Sequence, residues 1–140
     1  MKIVLVTTLG KEIIPSGIVS AVLTQTAEVA CDSLSIKIIG GKSLDEIERV
    51  YAYKNNKLIF NGYCDCQRTT ADERGFETYI YARSSACLLV DNDAFAYTYN
   101  RPSAQSLFDA YAKPFGFSYK LDDICTFKKY EVSSGSSLYG

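Results

Sequence analysis

The sequence predicts a mainly β, α+β fold of consecutive antiparallel strands with one packed helix near residues 103–113. Three observations predict it. Apolar and polar residues alternate along residues 34–38 and 76–82, two β-type runs flank the turn-forming pair Asn55 and Asn56, and one stretch carries a full helical period.

Taken in order, residues 1–6 form a short apolar run with Ile3 and Leu5 facing one way and Val4 and Val6 the other, an opening strand buried on both sides with Gly10 as its exit. Residues 18–30 are rich in Val, Thr and Leu and read as a strand without a clear polar side. Leu34, Ile36 and Ile38 alternate with Ser33, Ser35 and Lys37 and stop at Gly40 and Gly41, which predicts a half-buried strand. Ser43 and Glu46 have capping-box spacing, so one helical turn at residues 44–47 is the most helix expected there. Two strands then run to and from Asn55 and Asn56, residues that tolerate the positive φ of a tight hairpin. Gly62 is expected to bend or bulge the chain into a further strand at residues 63–69, and a polar connection, Asp72 to Gly75, leads into the strand at 76–82.

The helix is specified at both ends. Ser103 is a good N-cap after Pro102, Ala104, Leu107, Phe108 and Tyr111 recur at i, i+3, i+4 and i+7, and Lys113 with Pro114 closes the element. Its apolar face is expected to lie on the sheet. Residues 117–121 are expected to add a strand, and residues 133–137 form a polar Ser/Gly segment. The expected organisation is one principal domain over residues 1–126 and a C-terminal segment over 127–140.

A chain of 140 residues can bury about two thirds of its unfolded surface, so neither disulfides nor metals are needed to hold it. Hydrophobic and charged shares of 47% and 22% are those of a globular domain. The net charge is −1 and the 15 basic residues are scattered, which argues against nucleic acid as a direct ligand. No run approaches the roughly 20 apolar residues that span a bilayer. Thr7, Thr8, Gly10 and Lys11 interrupt the first apolar run too early for a signal peptide, so the chain is expected to stay where it is made.

The chain has no histidine, which removes Ser-His and Cys-His pairs and every His-containing metal site. Cys31, Cys64, Cys66, Cys87 and Cys125 are odd in number and unevenly spaced, and read as reduced, mostly buried thiols. Cys64 and Cys66, at i and i+2, are expected on one face of a strand, without the paired knuckles of a zinc site. The carboxylate pairs Asp91 and Asp93, Asp122 and Asp123, and Asp72 and Glu73 each sit in expected turns, where solvated acids are normal. Gly40, Gly41, Lys42 and Ser43 lack phosphate-loop spacing. No catalytic, cofactor or metal residue is therefore assigned, and no enzyme is expected. Among the 11 tyrosines, Tyr97 and Tyr99 are expected to pack under the helix, with interface use second.

The segment NGYCDCQRTTADERGFETYIYARSSACLLVDND, followed by SLFDAYAKPFGFSY, resembles the baseplate hub proteins of Mu-like phage tails. Gly62, Arg83, Leu88, Asp91, Pro114, Phe115 and Gly116 carry the likeness, which covers about half of the chain. It implies an antiparallel β-barrel of about six to seven strands with an associated helix. It further implies a structural role: three copies, each supplying two similar domains, form a pseudo-sixfold ring that joins the tail tube to the spike or baseplate. Production in the host cytoplasm and residence in the virion tail follow from the same resemblance. VSSGSSLYG resembles the opening of a helical module. The alternative from the residues alone is a carbohydrate-binding module using Tyr79, Tyr81, Tyr97 and Tyr99.

Overall fold

The computed structural model describes residues 1–120 and 125–138. Contacts divide the chain into two compact units, Met1–Ala86 and Cys87–Gly140, where the sequence reading set its boundary at residue 126.

The first unit is a sheet of seven strands: β1 (Lys2–Thr7), β2 (Glu12–Ile13), β3 (Ile18–Thr24), β4 (Ser33–Gly40), β5 (Ile47–Lys54), β6 (Lys57–Asp72) and β7 (Gly75–Ser84). Their order is β2-β1-β5-β6-β7-β4-β3, with every pairing antiparallel. Local turns explain the middle of this order. Asn55 and Asn56 adopt φ of 50° and 61°, the double positive φ of a type I′ hairpin, and so set Lys54 opposite Lys57. At the next hairpin the Asp72 carboxylate accepts a hydrogen bond from the Arg74 amide at 2.8 Å, and Asp72 opposes Gly75. The pairings of β1 with β5 and of β4 with β7 are long-range and rest on side-chain burial instead.

One face of the sheet is aliphatic. Ile3, Leu5, Leu34, Ile36, Ile38, Val50, Ala52, Phe60, Ile80 and Ala82 form a single buried cluster, against which Ile13, Ile18, Ala21 and Leu23 pack. As the sequence predicts, β1 is buried on both sides, through Val4 as well as Ile3 and Leu5. The sheet cannot be flat. Strands β2 and β3 are its two edges, so six strand spacings of ~4.8 Å would hold them about 29 Å apart. The chain from Ile13 to Ile18 can reach no further than about 18 Å. The sheet therefore curls until its edges approach.

It stops short of a closed barrel, which corrects the expectation raised by the resemblance. No ladder joins β2 to β3. The link at residues 14–17 contains Pro15, which has no amide to donate, and Gly17, at φ 89°, turns its carbonyl to the Ile39 amide of β4 at 2.9 Å.

Several element boundaries differ from expectation. β3 ends at Thr24 rather than near residue 30, and the loop after it is held by Gln25 donating to Asp32 at 2.8 Å and by the Ser84 amide donating to the Asp32 carbonyl at 2.8 Å. No helical turn forms at residues 43–46. Gln67 ties that loop down instead, accepting from the Ile47 amide at 2.8 Å and donating to the Asp45 carbonyl at 3.1 Å. Gly62 does not break β6, which runs for 16 residues. It allows a close approach: a Cβ there would meet the Arg83 carbonyl oxygen and come within 2.6 Å of the Phe60 ring. β6 slips in register on both sides of it, against β5 between Leu58 and Phe60 and against β7 between Cys64 and Cys66.

The second unit contains α1 (Cys87–Val90), β8 (Tyr97–Asn100), α2 (Ala104–Tyr111), a 3₁₀ turn at Lys113–Phe115 and β9 (Lys129–Val132). α2 is the predicted helix: the Ser103 hydroxyl accepts from the Ser106 amide at 3.1 Å, and the chain leaves through Pro114 and Gly116, the latter at φ 83°. β8 and β9 pair antiparallel, Tyr97 opposite Val132 and Tyr99 opposite Tyr130. Residues 117–120 form no strand, and Leu121 lies outside the described residues. Residues 133–138 make a turn and a bridge. The Ala94 amide bonds the Ser136 carbonyl at 2.8 Å and Ser137 bridges Asp93.

Replacement of Gly62 by Ala is expected to destabilise the first unit by about 2 kcal/mol or more, because backbone oxygen and a buried ring must both move. A urea midpoint equal to wild type would contradict this account of the glycine.

Candidate interaction surface

The strand period puts Tyr97 and Tyr99 on one face of the β8–β9 ribbon, with Val132 and Tyr130 beside them. The Tyr99 hydroxyl donates to that of Tyr111 at 3.1 Å, and Tyr111 donates in turn to the Phe95 carbonyl at 3.5 Å. Helix α2 supplies Tyr111 on the same stripe as Leu107 and Phe108, so the helical period brings these rings to the ribbon. Ring edges meet ring faces: Tyr97 and Tyr99 have centroids 4.6 Å apart at 62°, and Tyr99 and Tyr111 lie 6.1 Å apart at 76°. A cleft of about 310 Å³ lies here, lined by Leu107, Phe108, Tyr111, Tyr119, Tyr130 and Leu138 among others, none of them charged.

These rings are not a closed core. Phe95 is 88% exposed and Tyr97 60%. This corrects the expectation that Tyr97 packs beneath the helix. An exposed, hydrogen-bonded aromatic cluster beside an uncharged cleft has the composition of a protein-binding surface. Tyr79 and Tyr81 belong to β7 of the first unit, where the Tyr79 hydroxyl donates to Ser35 at 3.4 Å.

The other residues singled out by sequence fall into structural places. The β6 register slip sets Cys64 opposite Ala82 on the buried face and Cys66 opposite Tyr81 on the outer face, so the two thiols do not share a face as expected. Burial pushes the Cys64 thiol above its usual range. All five cysteines are outside disulfides. Among the described residues no group of three or more Cys, Asp or Glu side chains gathers as a metal site. Asp72 and Glu73 form the β6–β7 turn, Asp91 and Asp93 are exposed in the second unit, and Asp122 and Asp123 lie outside the described residues. Gly40 and Gly41 lead into loop, with no helix following. Three of the seven residues carrying the resemblance, Gly62, Pro114 and Gly116, serve the backbone. Gly62 permits a close approach, Pro114 opens a 3₁₀ turn and Gly116 ends it, while Arg83 forms an ion pair with Asp65.

A curled, open antiparallel sheet followed by a small α+β unit defines the class of fold. Solved structures sharing it include a 43 kDa tail protein of prophage MuSo2 from Shewanella oneidensis and a tail protein from Neisseria meningitidis MC58. The first aligns over 98% of this chain with a TM-score of 0.79 at 19% identity, the second over 97% with 0.71 at 17%. The chain spans 47% and 42% of those proteins, less than half of each. At such identities the likeness establishes the fold. No family model and no curated protein matches the sequence.

Burial, then the hydrogen bond and the charge of Tyr99, push the Tyr111 phenol up to about 12. A folded value above the unfolded one, about 10, favours the protonated folded state. That contribution is fully present below pH ~10 and is lost as pH rises through about 12. Tyr111→Phe is expected to remove the highest step from the phenolate absorbance titration and to flatten the alkaline loss of stability. An unchanged titration would contradict the assignment.

Proposed function

We propose that this chain is a structural module of a phage or prophage tail, of the baseplate-hub kind, working through protein contacts and not as an enzyme. One observation carries the reading: the fold of nearly the whole chain is shared with two tail proteins at TM-scores of 0.79 and 0.71. The absence of histidine and the uncharged aromatic surface of the second unit support it. On this reading the chain is made in a host bacterium, resides in the tail, and contacts tube and spike or baseplate proteins. The full-length parent forms a trimer whose repeated domains make a ring.

The open sheet supports ring assembly. β3 is an edge of seven residues, IVSAVLT, with no charge and no proline, and Val19 and Val22 are more than half exposed. Edges left without such protection pair with other chains. A neighbouring copy is the natural occupant in a ring.

Two measurements test these statements. Tail particles purified after prophage induction in the strain that carries the gene are expected to contain the chain by peptide mass spectrometry. Intact particles that lack it, while the lysate holds it in soluble form, would overturn the tail reading. Val22→Lys in the full-length parent is expected to abolish trimers in light scattering while leaving Tm within a few degrees, since the site is a solvent-facing edge. Trimers that persist place the interface elsewhere than β3.

A further inference from the structure

The outer face of the seven-stranded sheet holds an arginine that the fold does not neutralise. Arg49 of β5 stands opposite Tyr63 of β6, and Tyr51, two residues along β5, shares its face. The guanidinium carbon lies 4.7 Å from the Tyr63 ring centroid and 5.4 Å from that of Tyr51. Nη2 donates to the Asn61 side-chain oxygen at 2.7 Å. The head group is thus held by two rings and a fixed hydrogen bond.

Its charge is left over. Among the described residues no carboxylate forms an ion pair with Arg49, whereas Arg83, across Tyr63 on the same face, pairs with Asp65. Arg49 Nε is also buried and has no hydrogen-bond partner. A buried unmade hydrogen bond costs about 1–3 kcal/mol, and more when the group is charged. Surface lysines without partners need no explanation, because water solvates them. A half-buried guanidinium with one donor cut off from water does.

We propose that Arg49 is the recognition centre for an acidic side chain, Asp or Glu, presented by a partner protein, with Tyr51, Tyr63 and Asn61 as its cradle. Charge complementarity selects the occupant. The planar fork takes a carboxylate through parallel N–H bonds, and such pairs are shorter and roughly twice as strong as neutral ones. The rings and Asn61 fix the fork before the partner arrives, so little further ordering is needed on binding. Arginine and tyrosine are also the residue types that dominate interface energetics. Rings over the guanidinium leave its Nη edge as the approach, and the shielded Nε–H reports occupancy without exchanging rapidly with water. The inference deepens the tail reading by naming the chemistry of one contact, and its test is independent of whether the chain is found in particles.

The test uses the intact chain, nitrogen-15 labelled, with the Arg49 Nε–H resonance as readout. The probes are an end-capped tetraglutamate peptide, its tetraglutamine counterpart and inorganic phosphate. Tetraglutamate is expected to shift the resonance saturably, tetraglutamine to leave it unmoved, and phosphate to bind more weakly than the acidic peptide. Arg49→Lys is expected to weaken tetraglutamate binding at least ~5-fold, because lysine keeps the charge but loses the fork. Arg68→Gln, a neutralisation elsewhere on the outer face, is expected to leave it unchanged. An unresponsive Nε–H, an equal response to tetraglutamine, tighter binding of phosphate, unweakened binding by Arg49→Lys or lost binding in Arg68→Gln each overturn the proposal. Should the Arg49 variant fail to fold, the comparison of peptides on the wild-type chain still decides.

Discussion

The short link between β2 and β3 is the constraint on which the first unit depends. It ties the two edges of a seven-stranded sheet within about 18 Å, far less than a flat sheet allows, and so compels the sheet to curl. Curling gives the aliphatic face something to pack on. Leu34, Ile36, Val50 and Ile80 reach 0% exposure, each such burial stabilising the fold by roughly 1.5–3 kcal/mol. The same curvature demands close approaches, which is why Gly62 lies where any Cβ would strike the Arg83 carbonyl. Pro15 in the link then denies the last ladder hydrogen bonds, leaving β3 as a free edge.

A residue inserted at Asp65 re-aims the second half of the longest strand, which also slips against β5 between Leu58 and Phe60. Before the slip against β7, Phe60, Gly62 and Cys64 point to the core side; after it Gln67 does, opposite the buried Ile80. Gln67 can therefore reach under the loop before β5 and hold it by two hydrogen bonds. Asp65, at the slip, is delivered to Arg83 on the outer face. Bulges commonly re-aim side chains in this way. Here the effect is to neutralise Arg83 while Arg49, beyond the bulge's reach, keeps its charge.

The two units offer different contact chemistry. The second presents rings whose hydroxyls are mutually satisfied through Tyr99, Tyr111 and the Phe95 carbonyl, beside a cleft without charge. The first presents a polar, tyrosine-lined sheet face with a fixed cation, and a hydrophobic edge strand. Both suit the protein contacts of a tail component, the role proposed from the shared fold.

Much of the fold was legible because its signals are local. Alternation marked β4 and β7, Asn55 and Asn56 marked a hairpin whose positive φ few other residues accept, and Ser103 with Leu107, Phe108 and Tyr111 marked α2. The mainly β class and the order of most elements followed from the sequence alone. The site was scarcely legible. Whether Tyr97 was core or surface, which faces Cys64 and Cys66 occupied, and whether Arg49 found a carboxylate all depend on residues distant in the chain. Alternation and turn chemistry were enough for β1, β4, β5, β7, the Asn55–Asn56 turn and the helix cap, because backbone preference and periodicity act over a few residues. Only the tertiary structure decided that the sheet stays open, that β6 slips at Asp65 and that Arg49 remains uncompensated, because closure, register and ion pairing are settled by long-range pairing.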